Sequence, residues 1–152
     1  MLLSLITPLV GLAVGSPLVS RVAQPPTFDN VTIFTPPSNW SNQWTTYART
    51  VLLEQDGEAN NTLLASWSFQ PPGRTYAPIY QSKDGGLSWS ERSKVYFSAA
   101  DTADSIILQV FLYELPQTIG AYPAGTVLLA ANAVPANHSS TNIELHASHD
   151  KG

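Results

Sequence analysis

The stretch SKDGGLSW, residues 82–89, sets Ser82, Asp84, Gly86 and Trp89 in the pattern S-x-D-x-G-x-x-W. The chain's last five residues, SHDKG, repeat its first half as Ser148, Asp150 and Gly152. A carboxylate between a hydroxyl and a glycine suits a tight hairpin: Asp84 can accept N–H groups within the turn, and Gly86 can adopt a positive φ. Trp89 is spaced to fold back under the hairpin as an apolar plug. One carboxylate on a turn lacks the second acid that glycosidic cleavage needs, and the oxygens are too sparse for a calcium loop. The motif therefore reads as a structural clasp rather than a site.

The other reactive groups form no constellation. Glu54, Asp56, Glu58 and Glu91 lie in turn or hairpin contexts, while Glu114 and Glu144 lie on strands without an evident partner, so all are expected at the solvated surface or at strand ends. His138, His146 and His149 are close in sequence, but no H-x-x-x-H helix carries them, and no metal site is expected. With no cysteine there is neither a disulfide framework nor a thiolate ligand or nucleophile. No G-x-S-x-G elbow or glycine-rich phosphate loop occurs, and no cofactor is expected. Seven Lys and Arg, scattered singly against eleven Asp and Glu, give a net charge of −4 and no face for nucleic acid. Trp40, Trp44, Tyr47 and Trp67 admit two readings, a sugar-stacking surface or simply core.

The elements that must hold these residues are strands. Charged residues make up only 12% of the chain and hydrophobic residues 43%, so core material is plentiful, and twelve prolines with nine glycines imply many turns. Strand character appears in TYARTVLL (46–53), TLLASWSF (62–69), APIYQS (77–82), SKVYF (93–97), IILQVFLYEL (106–115), TVLLAANAV (126–134) and NIELHAS (142–148). Turn signals such as Pro71-Pro72-Gly73 and Asp84-Gly85-Gly86 separate them and leave little room for helix. Several runs are apolar on both faces, which predicts strands buried between packed sheets.

The strands repeat. RTVLLE, TLLASWS and PIYQSKDGG correspond to QVFLYE, TVLLAAN and IELHASHDKG, with equivalent points at 49 and 109, 62 and 126, and 82 and 148. Offsets of 60, 64 and 66 residues drift only where loops differ in length, as propeller blades do. The expected fold is all-β, a partial β-propeller of about two four-stranded blades. The first blade is placed at 46–104 and the second at 105–152, ending inside its clasp.

Residues 1–20 carry no charge and contain the small-x-small run Ala13-Val14-Gly15, which predicts a cleaved secretory signal and no membrane association afterwards. Sequons at Asn30, Asn39, Asn60 and Asn137 fit a secreted, glycosylated chain. Residues 21–45 read as a Pro-rich linker, with VTIF at 31–34 as a candidate ring-closing strand.

The clasp resembles the Asp box (BNR repeat) of the sialidase superfamily, where such boxes lie on the periphery of propellers away from the active centre. YARTVLLEQDG, TLLASWSF, PIYQSKDGGLSWS and above all FLYELPQTIGAYPAGTVLLAANAVP resemble the N-terminal third of secreted family 93 exo-arabinanase-type glycoside hydrolases. That resemblance implies a six-bladed propeller acting on α-1,5-linked arabinan with retention of configuration. It also implies catalytic carboxylates on later blades, so no catalytic residue is assigned in this chain, which is expected to be inactive alone. It puts Arg49 where related propellers carry a substrate-binding arginine on the innermost strand, with Gln109 as its counterpart in the second repeat. Around that counterpart the family-like R-x-Q-P is replaced by Ile107-Leu108-Gln109-Val110. The expected partner is an oligosaccharide or polysaccharide. Alternatives are a non-catalytic carbohydrate-binding or interaction propeller, or a sialidase, against which Thr50-Val51 after Arg49 counts. Two blades without neighbours leave apolar faces and edge strands uncovered, so self-association is expected.

Overall fold

The computed structural model describes residues 30–55 and 62–152. The predicted signal, Asp56, Glu58 and Asn60 lie outside those residues. Seven strands form two antiparallel sheets and no helix occurs among the described residues. The first sheet takes β1 (Thr45–Leu52), β2 (Leu63–Phe69), β3 (Ala77–Ser82) and β4 (Ser90–Val95) in chain order. The second takes β5 (Ile106–Glu114), β6 (Val127–Val134) and β7 (Asn142–Ser148), also in chain order.

The predicted strands appear where expected, apart from β4, which lies three residues before the SKVYF run at its start. Apolar content marked Val95, Tyr96 and Phe97 as strand. The ladder instead uses the polar Ser90 to Val95, with Gln81 opposite Ser90 and Ala77 opposite Val95, because the clasp hairpin fixes where pairing begins. Phe97 leaves the ladder and is fully buried in the core between the sheets.

That core explains the sequence pattern. Leu64 and Ile79 from the first sheet, with Phe97 just beyond it, share one cluster with Ile107, Leu112 and Leu129 from the second. Each such side chain contributes about 1.5–3 kcal/mol on burial, so the contact between the sheets carries much of the stability. Where β2 presents its other side, Ala65, Trp67 and Phe69 form a second cluster, which explains a strand apolar on both faces. Ser66 and Ser68 fill the first face where larger side chains would hold the sheets apart, and both are almost completely buried.

The segment before β1 is no free linker. Phe34 stacks on Trp67 at 5.3 Å between ring centroids and Trp40 lies 5.6 Å from Phe69, so residues 30–44 cover the outer side of the first sheet. Residues 31–34 join no ladder among the described residues. Their apolar character is used for packing, with Ile33 and Phe34 set against the second cluster.

Candidate functional site

The two clasps are built alike. Ser82 Oγ donates to Asp84 Oδ1 at 2.8 Å and accepts the Gly86 N–H at 2.8 Å. Ser148 Oγ likewise donates to Asp150 Oδ1 and accepts the Gly152 N–H at 2.8 Å. Gly86 and Gly152 have φ of +96° and +113°, a region that L side chains avoid. Asp84 also accepts the Ser88 hydroxyl at 2.5 Å and the Ser88 N–H at 2.9 Å. Those bonds from Ser88, with the one from Ser82, lower the Asp84 carboxyl to about 2. The bond from Ser148 holds Asp150 below the usual range in the same way. Trp89 donates its indole N–H to Gly86 O at 3.0 Å and packs on the second cluster, closing the hairpin from beneath. The Ser and Asp side chains of each clasp thus bond within their own turn.

The charged groups that had no visible partner in the sequence turn out to join the two sheets. Glu114 is buried, and its carboxylate accepts the backbone N–H of Glu54 at 2.6 Å and of Gln55 at 3.3 Å. Glu144, expected at a solvated strand end, accepts from Ser98 N at 2.9 Å, Ser98 Oγ at 2.9 Å and Ala99 N at 2.8 Å. Burial pushes the Glu144 carboxyl up, but these donors together pull it below its ordinary value. From the first sheet, Arg92 donates Nε–H to Gly152 O at 2.7 Å and an Nη2–H to Asp150 O, seating the second clasp against β4. Each expectation of a free surface carboxylate at 114 and 144 is thus corrected. Sequence spacing cannot show a partner that lies across the fold.

Arg49 and Gln109 lie on the first strand of each sheet, and β1 runs beside β5. Arg49 is exposed, and among the described residues its guanidinium donates to its neighbour's carbonyl, Ala48 O, at 3.1 Å. Gln109 sits in a bulge with φ of +56° and accepts from Asn132 Nδ2 at 2.6 Å. The two are not counterparts. Arg49 pairs with Ser66 and Phe111 with Ala130, while the bulge residue Tyr47, with φ of +53°, matches Gln109. The repeat offset along this strand is 62 residues, from 49 to 111, and Phe111 occupies the arginine's place in the second sheet.

The remaining candidates scatter. His146 packs edge-on against Phe97 with its Nε2 3.6 Å from Glu144, whereas His149 stacks on Tyr122. Among the described residues no group of His, Asp and Glu is gathered to hold a metal ion. Trp40 and Trp67 serve the second cluster, so the core reading applies to them. Trp67 and Tyr47 also line a groove of about 400 Å³ beside residues 32–34. The sequon residues Asn30, Asn39 and Asn137 are exposed.

No family model matches the chain, and no curated protein does. Solved structures do. A GH93 α-L-arabinofuranosidase of Fusarium graminearum, in complex with arabinobiose, is 40% identical over 82% of this chain and 33% of its own, with a TM-score of 0.69. The same enzyme with an iminosugar inhibitor gives 40%, 83%, 34% and 0.70. An α-L-arabinanase of Penicillium chrysogenum complexed with arabinobiose is 41% identical over 84% of this chain and 35% of its own, at 0.70. The chain spans about a third of the length of these proteins. Its likeness to the GH93 enzymes therefore holds in sequence and in fold, and its two sheets are neighbouring blades of a partial β-propeller.

Proposed function

We propose that this chain is the N-terminal portion of a secreted, exo-arabinanase-like glycoside hydrolase, supplying two blades and one arginine to a propeller that cleaves arabinofuranosyl linkages in plant cell-wall arabinan. The observation that carries this is the 40% identity, over 82% of the chain, to a GH93 enzyme seen with arabinobiose. On this reading Arg49 is a substrate contact, because its guanidinium is exposed on the first strand and, among the described residues, is tied to no carboxylate. Cleavage with retention needs two carboxyl groups about 5 Å apart, and the carboxylates described above are engaged otherwise. Glu114 and Glu144 hold neighbouring backbone, and Asp84 and Asp150 hold turns. On this reading the acid/base pair lies on further blades, as the resemblance implies, and this portion by itself is expected to be inactive. Export by the apolar leader and glycans at the exposed Asn30, Asn39 and Asn137 complete the reading.

The same engagement of carboxylates favours a second reading, a carbohydrate-binding or interaction propeller without catalysis. One assay separates the two. A version extended to the length of the GH93 enzymes is incubated with debranched arabinan and, in parallel, with a sialoside. Release of arabinobiose supports the arabinanase reading, and an Arg49→Ala change should then raise KM by about tenfold. Inertness on both substrates, with retained binding to arabinan, establishes the second reading, and release of sialic acid overturns both.

A further inference from the structure

The two clasps differ at one residue that bears on their chemistry. Asp84 is followed by Gly85, whereas Asp150 is followed by Lys151. Both following residues take the left-handed conformation, with φ of +74° and +68°. Glycine enters that region without strain, and a Cβ at residue 85 would meet nothing within 4 Å. Glycine thus suits the backbone at 85, and Lys151 shows that the same turn also forms with a side chain there.

An Asp-Gly step is chemically labile. The amide nitrogen of the following residue can attack the aspartyl carboxyl, and glycine, with no side chain, hinders that attack least. A bond forms between Gly85 N and Asp84 Cγ, a Cγ–O bond breaks, and the amide proton leaves with the carboxyl hydroxyl as water. A second water then opens the resulting succinimide ring. Addition at Cγ restores aspartate, while addition at the main-chain carbonyl gives isoaspartate, whose backbone runs through Cβ and Cγ. The reaction needs a carboxyl that is able to swing onto the next nitrogen and is neutral, so that its hydroxyl can leave.

The clasp opposes both. Asp84 Oδ1 accepts from Ser82 Oγ at 2.8 Å and from the Ser88 N–H at 2.9 Å, and Oδ2 accepts from Ser88 Oγ at 2.5 Å. These bonds tie the carboxylate to Ser82 and Ser88, and they must break before Cγ closes on Gly85 N. They also hold the carboxyl at about 2 against its ordinary 3.8, which makes the neutral acid at least about tenfold scarcer. We propose that Asp84-Gly85 is a latent site of isoaspartate formation, kept unreactive by the clasp and released when the hairpin between β3 and β4 opens. The product carries an extra backbone atom and a displaced carboxylate, so it cannot remake the bonds to Ser88. The modification therefore accumulates as a record of hairpin opening.

The test holds the full chain at mildly acidic pH and body temperature, folded in buffer and unfolded in concentrated urea. Isoaspartate is read peptide by peptide by mass spectrometry with electron-transfer fragmentation. Asp56-Gly57, the same step outside the described residues, is the reference in the unfolded chain. In urea the two steps should react alike, and Gly85→Lys should silence the one at 84. In the folded chain Asp84 should react at least about tenfold more slowly than in urea, and Ser88→Ala should recover part of that rate. Equal rates at Asp84 in the folded and unfolded chain overturn the proposal. So does a folded Ser88→Ala as inert as the parent, since backbone geometry alone would then protect the step. Circular dichroism reports whether Ser88→Ala is folded. If it is not, the parent in urea below its unfolding transition decides: isomerisation rising in step with exchange of the Ser88 amide supports release by local opening, and isomerisation rising only with global unfolding overturns it.

Discussion

Replacing Glu114 by alanine should destabilise the chain, because one buried side chain there joins two blades. The carboxylate accepts from Glu54 N at 2.6 Å and Gln55 N at 3.3 Å while only 8% of the residue is exposed. A hydrogen bond to a charged group contributes about 1.5–3 kcal/mol. The second bond is long, and residues 54 and 55 are themselves exposed, so water can satisfy their N–H groups once the carboxylate is gone. The expected loss for Glu114→Ala is therefore about 2 kcal/mol, near the value of one charged bond. Glu114→Gln keeps an acceptor oxygen but turns an NH₂ toward the second N–H, and should cost about 1 kcal/mol. Urea titration followed by tryptophan fluorescence reads these values, since Trp40, Trp44, Trp67 and Trp89 all lie in the first blade or the segment before it. Protein concentration must be fixed, because self-association would add to the apparent stability. If Glu114→Ala lowers the midpoint by less than about 0.5 kcal/mol equivalent, the ordinary scatter of surface changes, the clasp between blades is not a stabilising contact. Loss of β circular dichroism ahead of the tryptophan signal would show that the second blade melts first, and hence that Glu114 couples the blades rather than merely stabilising one.

Ser82→Ala removes the hydroxyl that bridges Asp84 and Gly86 and should cost about 1–2 kcal/mol in the same titration; an unchanged midpoint would mean that the turn is held by backbone geometry alone. The Asp84 carboxyl lies lower folded, at about 2, than its ordinary 3.8, so its contribution is complete above pH 4 and disappears as pH falls toward 2. Hydrogen exchange of the Ser88 amide should accelerate relative to β2 amides over that window, and a constant ratio would contradict the assignment.

Much of the fold was legible because burial on two faces writes itself into composition. TLLASWSF is apolar on both sides since one face meets the second blade and the other meets Phe34 and Trp40. The clasps were legible because a positive φ and a short hydroxyl-to-carboxylate bond restrict residue type at fixed spacing. The joints between blades were not. Glu114 and Glu144 bind backbone N–H groups, which any sequence supplies, so nothing in residues 54, 55, 98 or 99 advertises a partner. Arg92 is equally silent, since it reaches carbonyl oxygens of Asp150 and Gly152.

The mismatch of Arg49 with Gln109 has a physical cause that reaches beyond this pair. Side chains alternate across a strand with a period of two, so sliding one blade against the other by two residues leaves every inward and outward assignment unchanged. The hydrophobic pattern therefore accepts offsets of 60 and 62 equally, and the shared Glu at 54 and 114 draws the eye to the first. Two bulges break the degeneracy. Each inserts an extra residue at the same rung, after Thr46 in β1 and after Leu108 in β5, and each forces a non-glycine residue, Tyr47 or Gln109, to positive φ. The offset then grows to 64 and 66 on the next two strands, because each connecting loop of the second blade is two residues longer. With the register fixed, Glu114 matches Leu52 and not Glu54, which explains why only the second blade carries this clasp. It also sets Phe111 in the place of Arg49, so the second blade offers an apolar side chain where the first offers a cation. A guanidinium at this rung is therefore not repeated from blade to blade.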